Sequence, residues 1–257
     1  MTSAERSFLD FGGRCVVVTG ASQGIGRACA EELSAHGARV VLIGRHQAKL
    51  EAARAALTGG GHEILAFDLT HFDRIGQAVA QMVTQVGRLY GLCHAAGEVS
   101  TQPLGVTTVE VIQQLMAVNV LAGLELARAI SRRDVMDPEG GSFVFVSSIY
   151  GNVGVAGETG YSAAKGAVSA AARAMAMELA RRRIRVNTIS PGFVRTPMTD
   201  NALSELSPDQ AATIEQKHPL GIGMPVDVAR AAVFLLAPAT TWITGTDMVV
   251  DGGYSAQ

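Results

Sequence analysis

An apolar strand, Val16-Val17-Val18-Thr19, runs directly into Gly20-Ala21-Ser22-Gln23-Gly24-Ile25-Gly26 and then into Ile25, Ala28, Cys29, Glu32, Leu33 and His36 at helical spacing. Each glycine has a steric reason to be there. Gly20 permits the tight turn, Gly24 lets backbone approach an anion, and Gly26 lets the helix pack close to the strand. The free N–H groups at the start of that helix then face the anion. Strand, glycine turn and helix in this order predict a phosphate cradle for a dinucleotide, with Ser22, Gln23 and Ile25 along it.

The rest of the chain repeats the alternation. Cys15–Thr19, Arg39–Ile43, Glu63–Phe67, Leu89–Ala95, Ser142–Ser147, Arg185–Ile189 and Met248–Val250 read as strands, with Ala-rich helical patterns between them. Such alternation predicts a doubly wound, Rossmann-type parallel sheet of about seven strands, with helices on both faces and right-handed crossovers. Apolar residues make up 48% of the chain but aromatics only 5%, so the core is built from Ala, Val, Leu and Ile. That suits strands covered on both sides. With no internal repeat and no Pro- or Ser-rich linker, residues 1–257 read as a single NAD(P)-binding domain. The polar stretch Thr196–Pro219 holds Pro197, Pro208 and Pro219 and follows a strand's carboxyl end. It reads as a small cover over a site, against the plainer reading of surface helices.

The formal charge of -2 gives no electrostatic case for nucleic acid or an anionic membrane. Arg132-Arg133 and Arg181-Arg182-Arg183 read as solvated helix ends, where cations suit the dipole. Cys15, Cys29 and Cys93 are scattered without CxxC spacing, and read as buried thiols in a reducing compartment. Met1–Asp10 carries charges and lacks the apolar stretch of a signal peptide, and nowhere do about 18 uncharged apolar residues run together. A cytoplasmic protein with no membrane partner and no metal site is the expectation.

At the tip of the second strand the sequence reads Val41-Leu42-Ile43-Gly44-Arg45, with no acid until Glu51. A carboxylate there would accept from a free ribose 2′-hydroxyl; Gly44 removes it, and Arg45 offers a fork for a 2′-phosphate. NADP(H) is therefore favoured, with NAD(H) left possible.

Tyr161-Ser162-Ala163-Ala164-Lys165 opens a helical stretch reaching about Arg182, so phenol and ammonium share one helix face. A cation beside the phenol is expected to lower its pKa toward a useful range. Ser148 ends the strand Phe143-Val144-Phe145-Val146-Ser147, 13 residues before the tyrosine. Strand carboxyl ends are where open α/β sheets bind ligands. In order and spacing, Thr19-Gly20-x-x-x-Gly24-x-Gly26, Asn119, Ser148, Tyr161-x-x-x-Lys165 and Pro191-Gly192 resemble the short-chain dehydrogenase/reductase family over nearly the whole chain.

The resemblance implies that hydride passes between a nicotinamide and a ketone or secondary alcohol. Tyr161 would be general acid/base, Lys165 would hold the nicotinamide ribose, Ser148 would bond the substrate oxygen, and Asn119 would anchor a water near Lys165. Asp68 and Leu69 would meet the adenine, and Ala95, Ala96 and Gly97 would let the cofactor approach. Pro191, Gly192, Val194 and Thr196 would lie along the nicotinamide. One departure is His94-Ala95 where the family has Asn-Asn, which removes amides that brace the sheet.

Tyr150, Asn152, Val153 and Val155 are expected to line the substrate pocket with Ser148 and Tyr161. Being uncharged, they suit a neutral small-molecule carbonyl or alcohol. The nearest look-alikes are 3-oxoacyl-[acyl-carrier-protein] reductases and sugar-acid or cyclic-alcohol dehydrogenases. Alternatives are an NAD-linked dehydrogenase working in the oxidising direction, and a non-catalytic dinucleotide sensor or scaffold. The family also implies a homo-oligomer, commonly a tetramer, through helices around Thr108–Arg133 and Tyr161–Arg182.

Overall fold

The computed structural model describes residues 7–204 and 207–256. Parts of the expected 1–257 unit, and residues 205–206 of the expected cover, lie outside them. Seven strands pair in parallel: β1 (Cys15–Thr19), β2 (Arg39–Gly44), β3 (Glu63–Ala66), β4 (Gly91–His94), β5 (Gly141–Val146), β6 (Ile184–Pro191) and β7 (Asp247–Val250). Their order across the sheet is 3-2-1-4-5-6-7. The doubly wound fold expected from the strand–helix alternation is what the chain adopts.

Side-chain alternation along each strand fills two layers. Val17, Val41 and Ile43 point into one apolar cluster, while Val16, Val18, Val40 and Leu42 point into the other. The first cluster is closed by α3 (Phe72–Val86), α5 (Ala122–Ile130) and α6 (Thr159–Leu179). The second is closed by α1 (Gly24–Ala35), α2 (Gln47–Ala55) and α9 (Pro225–Leu236). A parallel sheet covered on both faces needs apolar residues at every strand position, which explains the Val- and Ile-rich runs.

Two features matter for the site. The first is that strand order reverses between β1 and β4, so the loops after them part and leave a crevice at the carboxyl edge. The second is α4 (Val109–Met116), which continues through a widened, π-type turn at Ala117–Leu121 into α5. The whole run, Val109–Ile130, is long and apolar enough by composition to cross a membrane, with a mean hydropathy of 1.3. Here it packs along α3 and α6, burying Leu115, Val120, Leu126 and Ile130.

The polar stretch after β6 forms two helices, α7 (Pro197–Ser204) and α8 (Pro208–Gln216), each begun by a proline. The three thiols are free and buried.

Candidate active site

The crevice is a cleft of about 410 Å³ running across the carboxyl ends of β1, β4 and β5. Its floor is the glycine turn. Gly20 has φ +64°, and a side chain there would stand 3.0 Å from Ala95 O and from the Ala96 backbone. A side chain on Gly26 would meet Gly20 O at 2.5 Å. Gln23 precedes α1 without a side-chain cap, and the first turn holds no acid. The N–H groups of that turn are thus left for an anion. Ser22, Gln23, Gly24 and Ile25 all line the cleft. A backbone cradle that any Cβ would fill, beneath an uncapped helix start, fits the pyrophosphate of a dinucleotide.

At the far end the cleft is bounded by Arg45, Asp68 and Leu69, as expected, and also by His46 and Lys49. Thr70 donates from its N–H (2.9 Å) and hydroxyl (2.8 Å) to Asp68 Oδ1. These two bonds hold the Asp68 carboxyl below its ordinary range. Arg45 reaches across to Glu98 Oε1 at 3.6 Å, and Glu98 Oε2 accepts from Gln114 at 3.1 Å. Sequence reasoning missed Lys49, His46, Glu98 and Gln114. Lys49 carried a signal, since it lies four residues after Arg45 at the start of α2. Glu98 carried one too, directly following Gly97.

Ser148, Tyr161 and Lys165 meet in the middle of the cleft with Asn119. Ser148 stands at the end of β5, and its Oγ accepts from Tyr150 N at 3.2 Å. The start of α6 is clamped to that strand end: Ser147 Oγ donates to Lys165 O (2.9 Å) and Ser169 Oγ donates to Ser147 Oγ (3.1 Å). Lys165 Nζ donates to Val146 O at 2.8 Å and lies 5.6 Å from the centre of the Tyr161 ring. Burial brings the ammonium down to about 8. Asn119 sits in the widened turn of the α4–α5 run. Its Nδ2 donates to Leu115 O (2.9 Å) and Glu98 O (3.0 Å), and its Oδ1 accepts from Glu98 N (3.3 Å). These bonds hold the loop after β4 against the helix. π-type turns of this kind tend to mark functional positions.

The expected electrostatics of Tyr161 needs correction. Its pKa is raised to about 12 by burial, with the Ser148 hydroxyl pulling the other way and the Glu158 and Tyr150 side chains adding to the rise. Burial outweighs any lowering by a nearby cation, and Lys165 Nζ is directed to the Val146 carbonyl. The phenol therefore keeps its proton at neutral pH.

Ala95, Ala96, Gly97, Pro191, Gly192, Val194 and Thr196 also line the cleft. Where the family has Asn-Asn, Thr19 ties β1 to the end of β4. Its Oγ1 lies 2.9 Å from His94 Nδ1 and accepts from Ala96 N at 3.0 Å. His94 is 2% exposed. Burial first, and then the Lys165 charge, lower its pKa to about 3.

Tyr150, Asn152, Val153 and Val155 are not among the residues lining the cleft. Asn152 Nδ2 turns instead to Asp247 Oδ2 at 2.7 Å, tying the loop after β5 to β7. A short 3-10 turn, Ile149–Gly151, follows Ser148 directly, and Tyr150 within it acts on the Tyr161 phenol. Met198 and Thr199 of α7 line the cleft. Among the described residues no group of three His, Cys, Asp or Glu is placed to hold a metal ion.

Fold and cleft together define a nicotinamide-dependent oxidoreductase of the doubly wound class. Residues 20–255 match a family model described as Enoyl-(Acyl carrier protein) reductase, and the chain belongs to the short-chain dehydrogenase/reductase family. It is similar to a glucose 1-dehydrogenase from Gluconobacter oxydans, with 36% identity over 95% of this chain and 92% of that one. It is equally similar to a 3-oxoacyl-[acyl-carrier-protein] reductase from Bos taurus, with 36% identity over 92% and 95%. A crystal structure of a short-chain alcohol dehydrogenase from Sinorhizobium meliloti superposes with a TM-score of 0.91 at 31% identity, covering 97% of this chain and 99% of that one. The chain is thus an oxidoreductase of a family acting on alcohols and ketones.

Proposed function

We propose that this oxidoreductase works with NADP(H) and reduces ketones through Tyr161. The observation that carries the reading is the convergence of Ser148, Tyr161 and Lys165 in one cleft beside the glycine cradle. A bound dinucleotide supplies or receives the hydride. The chain's own residues handle the oxygen and its proton. Ser148 Oγ donates to the substrate oxygen and stabilises charge developing there. Tyr161, protonated at neutral pH, gives its proton to that oxygen as C=O becomes CH–OH. Lys165, with a pKa of about 8, holds the ribose and stands ready to exchange a proton near the phenol. In the oxidising direction the same phenol must first release its proton, so alcohol oxidation should favour alkaline pH.

Replacing Tyr161 by Phe should lower kcat by about 10³-fold while leaving NADPH affinity within a few-fold. A variant that turns ketones over at the parent rate would remove Tyr161 from the reaction. A wild-type chain that binds NADPH yet reduces nothing in a broad ketone panel would instead mark a dinucleotide sensor.

Arg45, His46 and Lys49 at the adenosine end, with no carboxylate on the β2 tip, support the phosphorylated cofactor. Arg45→Ala should weaken NADPH about tenfold and NADH hardly at all, as read by titration of each cofactor. Equal losses would sink the 2′-phosphate role. Engagement of NADPH also requires Arg45 to exchange its partner Glu98 for phosphate.

We extend the reading to a cytoplasmic homotetramer. Leu121 and Val109 on the α4–α5 run and Met177 on α6 are exposed apolar residues on the two helices expected to meet their symmetry mates.

A further inference from the structure

The cleft carries a carboxylate, Glu98, to which neither the family pattern nor the scheme above gives a task. Arg45 directly follows β2, and Glu98 lies four residues after β4. Strand β1 stands between those two strands, so the Arg45–Glu98 pair joins the loops on either side of the glycine turn. Both side chains line the cleft, and so does Gln114. A dinucleotide laid on the cradle with its adenosine toward β2 meets this pair.

Glu98 is held in that position. Asn119 clamps its backbone, Nδ2 donating to its carbonyl and Oδ1 accepting from its N–H. Gln114 Nε2 donates to Oε2 at 3.1 Å, while Oε1 faces Arg45 at 3.6 Å. Exposed ion pairs are usually weak, in part because two long side chains must be ordered to form them. Here the acid is already ordered by Asn119 and Gln114, so only the guanidinium remains to be held. Asp68, the other acid at this end of the cleft, is committed to the N–H and hydroxyl of Thr70. Glu98 is therefore the carboxylate that a ribose 2′-phosphate must displace from Arg45. A ribose with a free 2′-hydroxyl leaves the pair intact.

We infer that Glu98 is a specificity-determining residue: by holding Arg45 it weakens NADP(H) relative to NAD(H) and narrows the chain's preference between the two cofactors. This rests on the reading of Arg45 as the partner of the 2′-phosphate.

The test is calorimetric titration of NADPH and of NADH into wild type, Glu98→Gln, Arg45→Ala and the double variant. Glutamine keeps the size of the side chain and an acceptor for Gln114 while removing the charge. Glu98→Gln should tighten NADPH about threefold, the scale of an exposed ion pair, and leave NADH within about 1.5-fold. On the Arg45→Ala background the same substitution should move NADPH by less than about 1.5-fold, because the group through which it acts is gone. The gain should also shrink as salt is raised from about 0.05 to about 0.5 M. NADPH binding that is unchanged or weaker in Glu98→Gln overturns the assignment. So does an equal gain with and without Arg45, which would mean direct repulsion of the phosphate, and so does an equal gain for both cofactors. Arg45→Ala that weakens NADPH and NADH alike removes the 2′-phosphate site and the role of Glu98 with it. Arg45→Ala that weakens NADPH alone, beside a Glu98→Gln without effect, removes only the competition.

Discussion

His94 ends β4 with Nδ1 on the Thr19 hydroxyl and its ring 5.9 Å from that of Phe145. Its Nε2 makes no hydrogen bond among the described residues. An imidazole held at about 3 in the folded chain and near 6.5 when unfolded takes up its proton only on unfolding between those values. The unfolded state then binds more protons, so stability falls as pH drops from 6.5 toward 3. At pH 4.5 that amounts to about 2–3 kcal/mol relative to neutral pH. His94→Asn should flatten this acid slope in urea unfolding measured at pH 7 and 4.5; an unchanged slope would show that other groups set it. At this scale the sequence disclosed which side chains share one cleft, because Tyr161, Lys165 and Ser148 hold fixed offsets on a helix and a strand end. It did not disclose that the Val146 carbonyl engages Lys165, or that Thr19 bonds both His94 and the Ala96 backbone. Both depend on contacts between residues far apart in the chain.

Among the elements, the strands were legible because β-branched runs stand between Ala-rich helical patterns. β1 falls where its Val run predicts, while β4 is shorter than Leu89–Ala95, since only Gly91–His94 find partners on both sides. The polar stretch after β6, for which surface helices were the plainer reading, folds as α7 and α8, where proline at the first position pre-sets the backbone angle. The end of α9 depends on another element's side chain. Arg185 of β6, 8% exposed, donates to the carbonyls of Leu235 (2.7 Å), Ala237 (3.1 Å) and Ile243 (3.1 Å). Each carbonyl also accepts from a second donor, Ser142 Oγ, Thr240 or Asn187 Nδ2, so Arg185→Met should cost about 1–3 kcal/mol through the lost charge-assisted bonds alone, as read from chemical denaturation. A loss below about 0.5 kcal/mol would place the arginine among ordinary surface charges.

For the whole molecule, sheet order decides where chemistry can happen. Only between β1 and β4 do successive connections leave in opposite directions, and the cradle, His94 and Gly97 gather there. Self-association belongs to the same scale. Light scattering at micromolar concentration should give about four times the chain mass of 26.8 kDa, and Met177→Asp should lower it. A monomer in the parent protein would refute the tetramer. The widened turn at Ala117–Leu121 also limits how this chain can vary. A π-type turn holds one residue more than an α-turn, so deleting one there would close the run into plain α-helix and leave Leu115 and Ile130 facing the interior. What would be lost is the bulge that presents the Asn119 amide to the Glu98 backbone. A chain shortened at that point should therefore fold, yet hold the segment beside Gly97 less firmly.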